Sequence, residues 1–129
     1  MVITVEMATI AANWWADQVG CPRFNGLSHA ERKSGDNTAY EMAEIMAATL
    51  VKPVADDVRE RFVTLLVERI VNEQPFGLYV DYGPDHILGD VGDAAGVPPH
   101  NWPWKTSCHF RDGKVWARSG YAGEEQELV

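Results

Sequence analysis

The sequence predicts an α+β fold in which three to four helices pack on a small antiparallel sheet that contains a C-terminal β-hairpin. Two observations predict this class. Apolar residues recur at helical spacing in four segments between residues 4 and 95, and two runs of strand-forming residues flank the turn pair Asp112-Gly113. The 129 residues, 46% hydrophobic and 23% charged, suit a single globular domain over 1–129.

Each predicted helix begins at a polar residue that can cap it. The four helices run from Thr4 to about Gln18, from Thr38 to about Val51, from Asp57 to about Glu73 and from Asp85 to about Ala95. In the first helix, Trp14 and Trp15 are either core residues or a stacking platform. In the last helix, Gly89 and Gly92 allow a neighbouring element to approach closely. The irregular stretch from Gly20 to Asn37 is either a mobile surface loop or a functional one.

Three strands are predicted, over 77–82, 105–111 and 114–120. With Asp112 and Gly113 at the centre of a type I′ turn, Ser107 pairs with Arg118, and side chains alternate between two faces. The face that can be buried carries Thr106, Cys108, Phe110, Val115, Ala117 and Ser119. The opposite face is basic and aromatic, and it carries Lys105, His109, Arg111, Lys114, Trp116 and Arg118. The core is expected to include Trp15, Phe62, Leu65 and Phe110. Residues 97–104 are predicted to be extended, and the acidic tail over 123–129 to be frayed.

The protein is acidic, with a net charge of −8. Residues 105–118 carry four Lys or Arg and one Asp, which leaves −11 on the rest of the chain. This acidic surface repels nucleic-acid phosphates, and it either serves solubility or meets a basic protein face, including one built for DNA. The candidates for such a protein contact are Asp56, Asp57, Glu60 and Glu68.

The start of the chain lacks a basic segment, and no apolar run reaches the length of a membrane span. We therefore expect a cytoplasmic protein without a membrane partner. Cys21 and Cys108 match neither a disulfide framework nor a metal-ligand spacing.

The sequence contains no motif of the P-loop, dinucleotide-binding, metalloprotease or serine-hydrolase classes, and we expect no catalytic residue, metal or cofactor. The alternatives are a metal site built from Asp81, His100 and His109, and a nucleophile at Cys21 or Cys108 beside His100 or His109. A set of aromatic and charged residues can share one surface if the first strand joins the hairpin: Tyr79, Asp81, His100, Trp102, Trp104, Lys105, His109, Trp116 and Arg118. This surface suits a nucleotide-like anionic ligand, because rings stack a base while Lys and Arg meet phosphate. In the competing interpretation the tryptophans simply pack against a helix.

Two stretches carry a resemblance, NWWADQ at 13–18 and DYGPDHILGDVGDAAGVPPHNWPWKTS at 81–107. With its tryptophan helix, DYGP turn and PWKT strand entry, the chain resembles short accessory proteins encoded by bacteriophages and prophages. The resemblance covers most of the chain but supplies no functional residues. It implies an inhibitor of a host defence system that acts by contact with a host protein, without catalysis. The alternatives are a binder of a small nucleotide-like anion and a small hydrolase, and exposed strand edges predict a homo-oligomer.

Overall fold

The computed structural model describes residues 1–20, 52–120 and 123–129. The elements of this part are helices α1 (Val5–Gly20) and α2 (Asp56–Glu73), strand β1 (Gly77–Val80), helix α3 (His86–Ala95), a 3-10 helix (Pro99–Asn101), and strands β2 (Thr106–Arg111), β3 (Lys114–Arg118) and β4 (Gln126–Leu128). The predicted α+β class is confirmed. The predicted loop that leads to Thr38 and the helix predicted over 38–51 lie outside the described residues.

The four strands form one antiparallel sheet in the order β1-β2-β3-β4. The predicted hairpin register is confirmed, since Arg111 pairs with Lys114 and Ser107 pairs with Arg118. Asp112 and Gly113 have φ values of 55° and 72°, as a type I′ turn requires. This register sets which side chains of β2 and β3 face the helices and which face outward.

The predicted end of the first strand and the predicted frayed tail were both wrong. The strand predicted over 77–82 stops at Val80, because the backbone N–H of Asp81 donates to Gly83 O and the chain turns back. The tail predicted to be frayed instead forms β4 beside β3. Its glutamates explain the difference: Glu125 and Glu127 pair with cations of the hairpin, so the residues that suggested fraying attach the strand.

The outer edge of β1 is partly closed by the turn that follows it. The N–H of Tyr79 donates to Asp85 Oδ2 at 2.7 Å, and its carbonyl accepts from the Asp85 N–H at 2.9 Å. The other carboxylate oxygen of Asp85 accepts from the N–H of Leu88 at 2.9 Å, which confirms Asp85 as the N-cap of α3. One side chain therefore ends a sheet edge and begins a helix.

The core lies between the inner face of the sheet and the helices, where α1 packs on α2 and β3, and α3 packs on α2 and β1. Trp15, Phe62 and Phe110 are buried as predicted, and the indole Nε1 of Trp15 donates to Cys108 Sγ at 3.1 Å. The prediction for Leu65 was wrong. It is only partly buried, because α2 turns Leu66 inward in line with Phe62, one helical turn away.

The capping residue predicted for α1 is confirmed, and the one predicted for α2 is wrong. Thr4 Oγ1 accepts from the N–H of Met7 at 3.2 Å, and α1 continues to Gly20. Helix α2 starts one residue early, after Ala55, which makes no side-chain capping bond. Asp57 therefore lies inside the first turn, where the helix dipole favours a carboxylate.

The proline-rich segment over 97–104 was predicted to be extended, but it contains the 3-10 helix. This turn buries Asn101, whose Nδ2 donates to Val19 O at 2.9 Å and to Lys52 O at 2.7 Å. Its Oδ1 accepts from the N–H of Lys52 at 3.1 Å. A single amide thus joins three separate parts of the chain, and the amphipathic pattern contains no signal for it.

Candidate functional site

The outward face of the sheet holds most of the candidate binding residues. Two cross-strand rows follow from the register. In the first row, Ser107 lies between Tyr79 on β1 and Arg118 on β3. In the second row, His109 lies between Gly77 and Trp116. The two rows differ in what covers them.

The first row forms a groove of about 430 Å³. It exists because Ser107 is small and both of its cross-strand neighbours are large. The residues that line it are Tyr79, Val80, Asp81, Lys105, Thr106, Ser107, Arg118 and Gly120. Four of the nine predicted ligand-binding residues are therefore together: Tyr79, Asp81, Lys105 and Arg118.

Lys105 has an unusual backbone conformation at the end of this groove. Its φ is 55°, in the left-handed region that a lysine seldom adopts, and its N–H donates to Asp81 O at 2.9 Å. Its ammonium pairs with the Asp81 carboxylate and lies 4.8 Å from the centroid of the Tyr82 ring. The turn before β2 therefore places the Lys105 charge at one defined position.

The second row is closed by the acidic strand β4. Arg111 lies over the Trp116 ring, with its Cζ 4.7 Å from the centroid, and pairs with both carboxylate oxygens of Glu125 at 2.8 and 3.0 Å. Hydrogen bonding to Arg111 lowers the pKa of Glu125, and the charges of Arg111, His109 and Arg118 lower it further. Lys114 pairs with Glu127 at 3.3 Å. The basic character predicted for this face is therefore largely neutralised within the molecule.

The Trp116 indole is partly covered by this arrangement. Within the part of the chain that the structure describes, its Nε1 is buried and makes no hydrogen bond. The predicted ligand face required a Trp116 ring that is free to stack a base, and the ring covered by Arg111 is not free in this way.

The other aromatic residues contact one another edge to face and do not form a common platform. His109 lies between Phe76 and Tyr79, with ring centroids 5.9 and 5.3 Å away. The Tyr79 ring extends back over Gly77, where an added Cβ would lie 2.7 Å from its hydroxyl, and burial raises the pKa of Tyr79. Tyr82 and Trp104 form a separate pair at 5.5 Å.

Two candidate residues lie away from this face. Trp102 belongs to the hydrophobic core, where its ring is 6.2 Å from that of Phe62 and contacts the backbone of α3 at Gly92. This confirms the expected close approach at Gly92 and corrects the placement of Trp102 on a ligand face. His100 is exposed on the 3-10 helix and does not line the groove.

The acidic candidates Asp56, Asp57, Glu60 and Glu68 are all exposed on α2. The three arginines of this helix are already engaged by carboxylates: Arg59 by Asp17, Arg61 by Asp57, and Arg69 by Glu73 and Asp90. The remaining candidates, Asp56, Glu60 and Glu68, form no ion pair with any residue that the structure describes. Two clefts of about 360 Å³ each flank Glu60 and Thr64.

The alternative catalytic and metal sites are not formed by the described residues. Cys108 points into the core, and burial raises the pKa of its thiol to about 12, so the nucleophilic thiolate is suppressed. His109 projects from the opposite face of the same strand. Across residues 1–20, 52–120 and 123–129, no group of three or more His, Cys, Asp or Glu side chains could hold a metal ion.

No helix in the described ranges has the length and hydropathy to cross a membrane. Comparisons of the chain with protein-family models, with curated proteins and with solved structures found no match. The geometry of the site is therefore the basis of any functional statement.

Proposed function

We propose that the protein is a non-enzymatic binding protein that acts by contact with a basic surface of another protein. The acidic face of α2, defined by Asp56, Asp57, Glu60 and Glu68, is the contact surface. The observation that carries the proposal is the distribution of ion pairs among the described residues. The three arginines of α2, and Arg111 and Lys114 of the hairpin, pair with carboxylates, whereas Asp56, Glu60 and Glu68 pair with no cation in the described part of the chain.

The position of these carboxylates supports the proposal. Glu60, Thr64 and Glu68 follow one another at intervals of four residues, so their side chains line one side of α2. One flanking cleft is also lined by Val63 and the other by Leu65. Such clefts suit partner Lys or Arg side chains, whose apolar stems can contact Val63 and Leu65 while their charged ends meet Glu60.

The class of partner follows from charge. A net charge of −8 accelerates encounter with a basic surface and disfavours nucleic acid itself. Surfaces built to bind nucleic acid are a common source of such basic faces. The resemblance to phage accessory proteins adds the proposal that the partner is a host defence protein and that binding inhibits it.

The test uses two double variants with equal net charge. Glu60→Lys with Glu68→Lys reverses the proposed contact, and Asp93→Lys with Glu124→Lys reverses two exposed carboxylates elsewhere. Each substitution adds two charges, so both variants carry −4 instead of −8. The immobilised wild-type protein is used to capture partners from host lysate, and association kinetics with the captured protein are measured at several salt concentrations.

For the Glu60/Glu68 variant, we expect the association rate constant with the captured protein to fall by roughly tenfold or more. Its dependence on salt should also be weaker than that of the wild type. The Asp93/Glu124 variant should stay close to wild type. An equal decrease of the association rate in both variants would show that only net charge matters. A wild-type association rate in both variants would reject the α2 contact.

A further inference from the structure

We propose that the groove over Ser107 is a second binding site, which takes a small oxyanion such as a carboxylate or a phosphate monoester. This site is independent of the acidic face of α2. It is not built to stack a nucleotide base, because the Tyr79 ring that lines it packs edge to face against His109.

Three side chains that carry hydrogen-bond donors line this one groove. Arg118 lies on one wall, Lys105 at the end, and the hydroxyl-bearing Ser107 on the floor. A guanidinium, an ammonium and a hydroxyl are donors that suit a small oxyanion, and the guanidinium can bind it with two parallel hydrogen bonds.

The backbone conformation of Lys105 fixes its position at the groove. Among the described residues other than glycine, a positive φ occurs at Gln74, Asp112 and Lys105. Gln74 is the C-cap of α2 and Asp112 is in the hairpin turn, so local structure accounts for both. Lys105 lies in the turn that leads into β2, and its left-handed backbone fixes a charged side chain at the groove, as is typical of binding sites.

The net charge of the groove limits the charge of the anion that it can bind. Lys105 and Arg118 are cationic and Asp81 is anionic, so the groove carries one net positive charge. Asp81 also repels any anion that comes close to its own carboxylate. The site therefore favours a group that carries a single negative charge or a small phosphate bound mainly through Arg118.

The experiment measures binding of four probes by calorimetry and by amide chemical shifts: inorganic phosphate, adenosine 5′-monophosphate, phenylacetate and uncharged adenosine. Saturable binding of at least one anion is expected, with shifts at the groove and none with adenosine. Binding of both phosphates without phenylacetate assigns a phosphate site, and binding of phenylacetate assigns a carboxylate site. No saturation by any anion at millimolar concentration would overturn the proposal.

Variants locate the site. Arg118→Gln and Lys105→Asn each remove a charge, and asparagine tolerates the left-handed conformation, so the turn is kept. Ser107→Val fills the floor and leaves both charges. Each should weaken anion binding by roughly tenfold or more. Lys114→Gln, outside the groove, is the control and should keep the wild-type affinity for the anion. The proposed site would be rejected if Lys114→Gln lost affinity while the groove variants kept it.

Discussion

Replacement of Asn101 by alanine should be among the most destabilising polar-to-alanine changes in the described part of the protein. The side chain is 1% exposed and makes three hydrogen bonds to backbone groups of Val19 and Lys52. These bonds join the end of α1 and the approach to α2 to the segment that leads into β2. Alanine keeps none of them.

The magnitude follows from the three bonds. A net contribution of about 1 kcal/mol for each gives roughly 3 kcal/mol. The carbonyl of Val19 faces the buried Asn101 side chain, so in the variant it has no ready replacement donor. The backbone N–H and carbonyl of Lys52, which is exposed, can instead form hydrogen bonds with water. We therefore expect a loss of ~3–4 kcal/mol, which lowers the melting temperature by on the order of 10 °C for a chain of this size.

The assay is urea unfolding followed by tryptophan fluorescence and circular dichroism. Asn13→Ala is the matched control, because Asn13 is exposed and, among the described residues, its amide bonds only to Thr9 O within α1. That change should alter stability by about 0.5 kcal/mol or less. A loss below about 1 kcal/mol for Asn101→Ala would refute the argument that this amide joins the three segments.

Two further predictions concern the core. Gly92→Ala places a Cβ 2.4 Å from Trp102 Cζ2 and should lower the free energy of unfolding by ~1–3 kcal/mol. In the control Gly89→Ala, the added Cβ lies 3.6 Å from its nearest neighbour, so the change should be neutral or stabilising by up to about 1 kcal/mol. Denaturation midpoints that rank the two variants the other way would contradict this packing. In a Cys21→Ser background, Cys108 should react with an aromatic disulfide only as fast as the protein unfolds, because the thiol is buried and its pKa is raised to about 12. Labelling of the folded protein within the mixing time would show that this part of the core opens locally.

The features that could be predicted from sequence depend on local information. The hairpin register follows from one turn pair and the alternation of a few residues on either side, so it needs no knowledge of the rest of the chain. The caps at Thr4 and Asp85 are likewise decided within four residues. The candidate groove follows from the hairpin once β1 is placed beside β2.

The features that were missed depend on contacts between distant residues. Asn101 bonds to residues 82 and 49 positions away, and no periodicity indicates such partners. Trp102 was predicted to share the outer surface because residues 97–104 were expected to be extended, but the 3-10 helix before it turns the ring toward α3. Strand β4 was missed because its acidic composition is typical of a solvated tail, and only the cations of the hairpin make it a strand.

The attachment of β4 should depend on pH through Glu125. Its pKa is lowered in the folded protein, chiefly by the hydrogen bonds from Arg111, relative to an ordinary value of 4.5. A carboxyl group with a lowered pKa stabilises the fold above its unfolded-state pKa, and this stabilisation is lost as the pH falls through the folded-state value. Glu125→Gln should therefore be less stable than the wild type at neutral pH.

The two proteins should converge in acid, since protonated Glu125 and glutamine are then alike in charge. Unfolding midpoints measured from neutral to acid pH test this, with Glu124→Gln as the control, because Glu124 is exposed beside the same strand. A constant difference between wild type and Glu125→Gln at all pH values would show that the Arg111–Glu125 pair does not attach β4. The outcome also bears on function: if β4 releases in acid, Arg111 and Lys114 become available cations, and the basic face that the hairpin sequence predicts is restored.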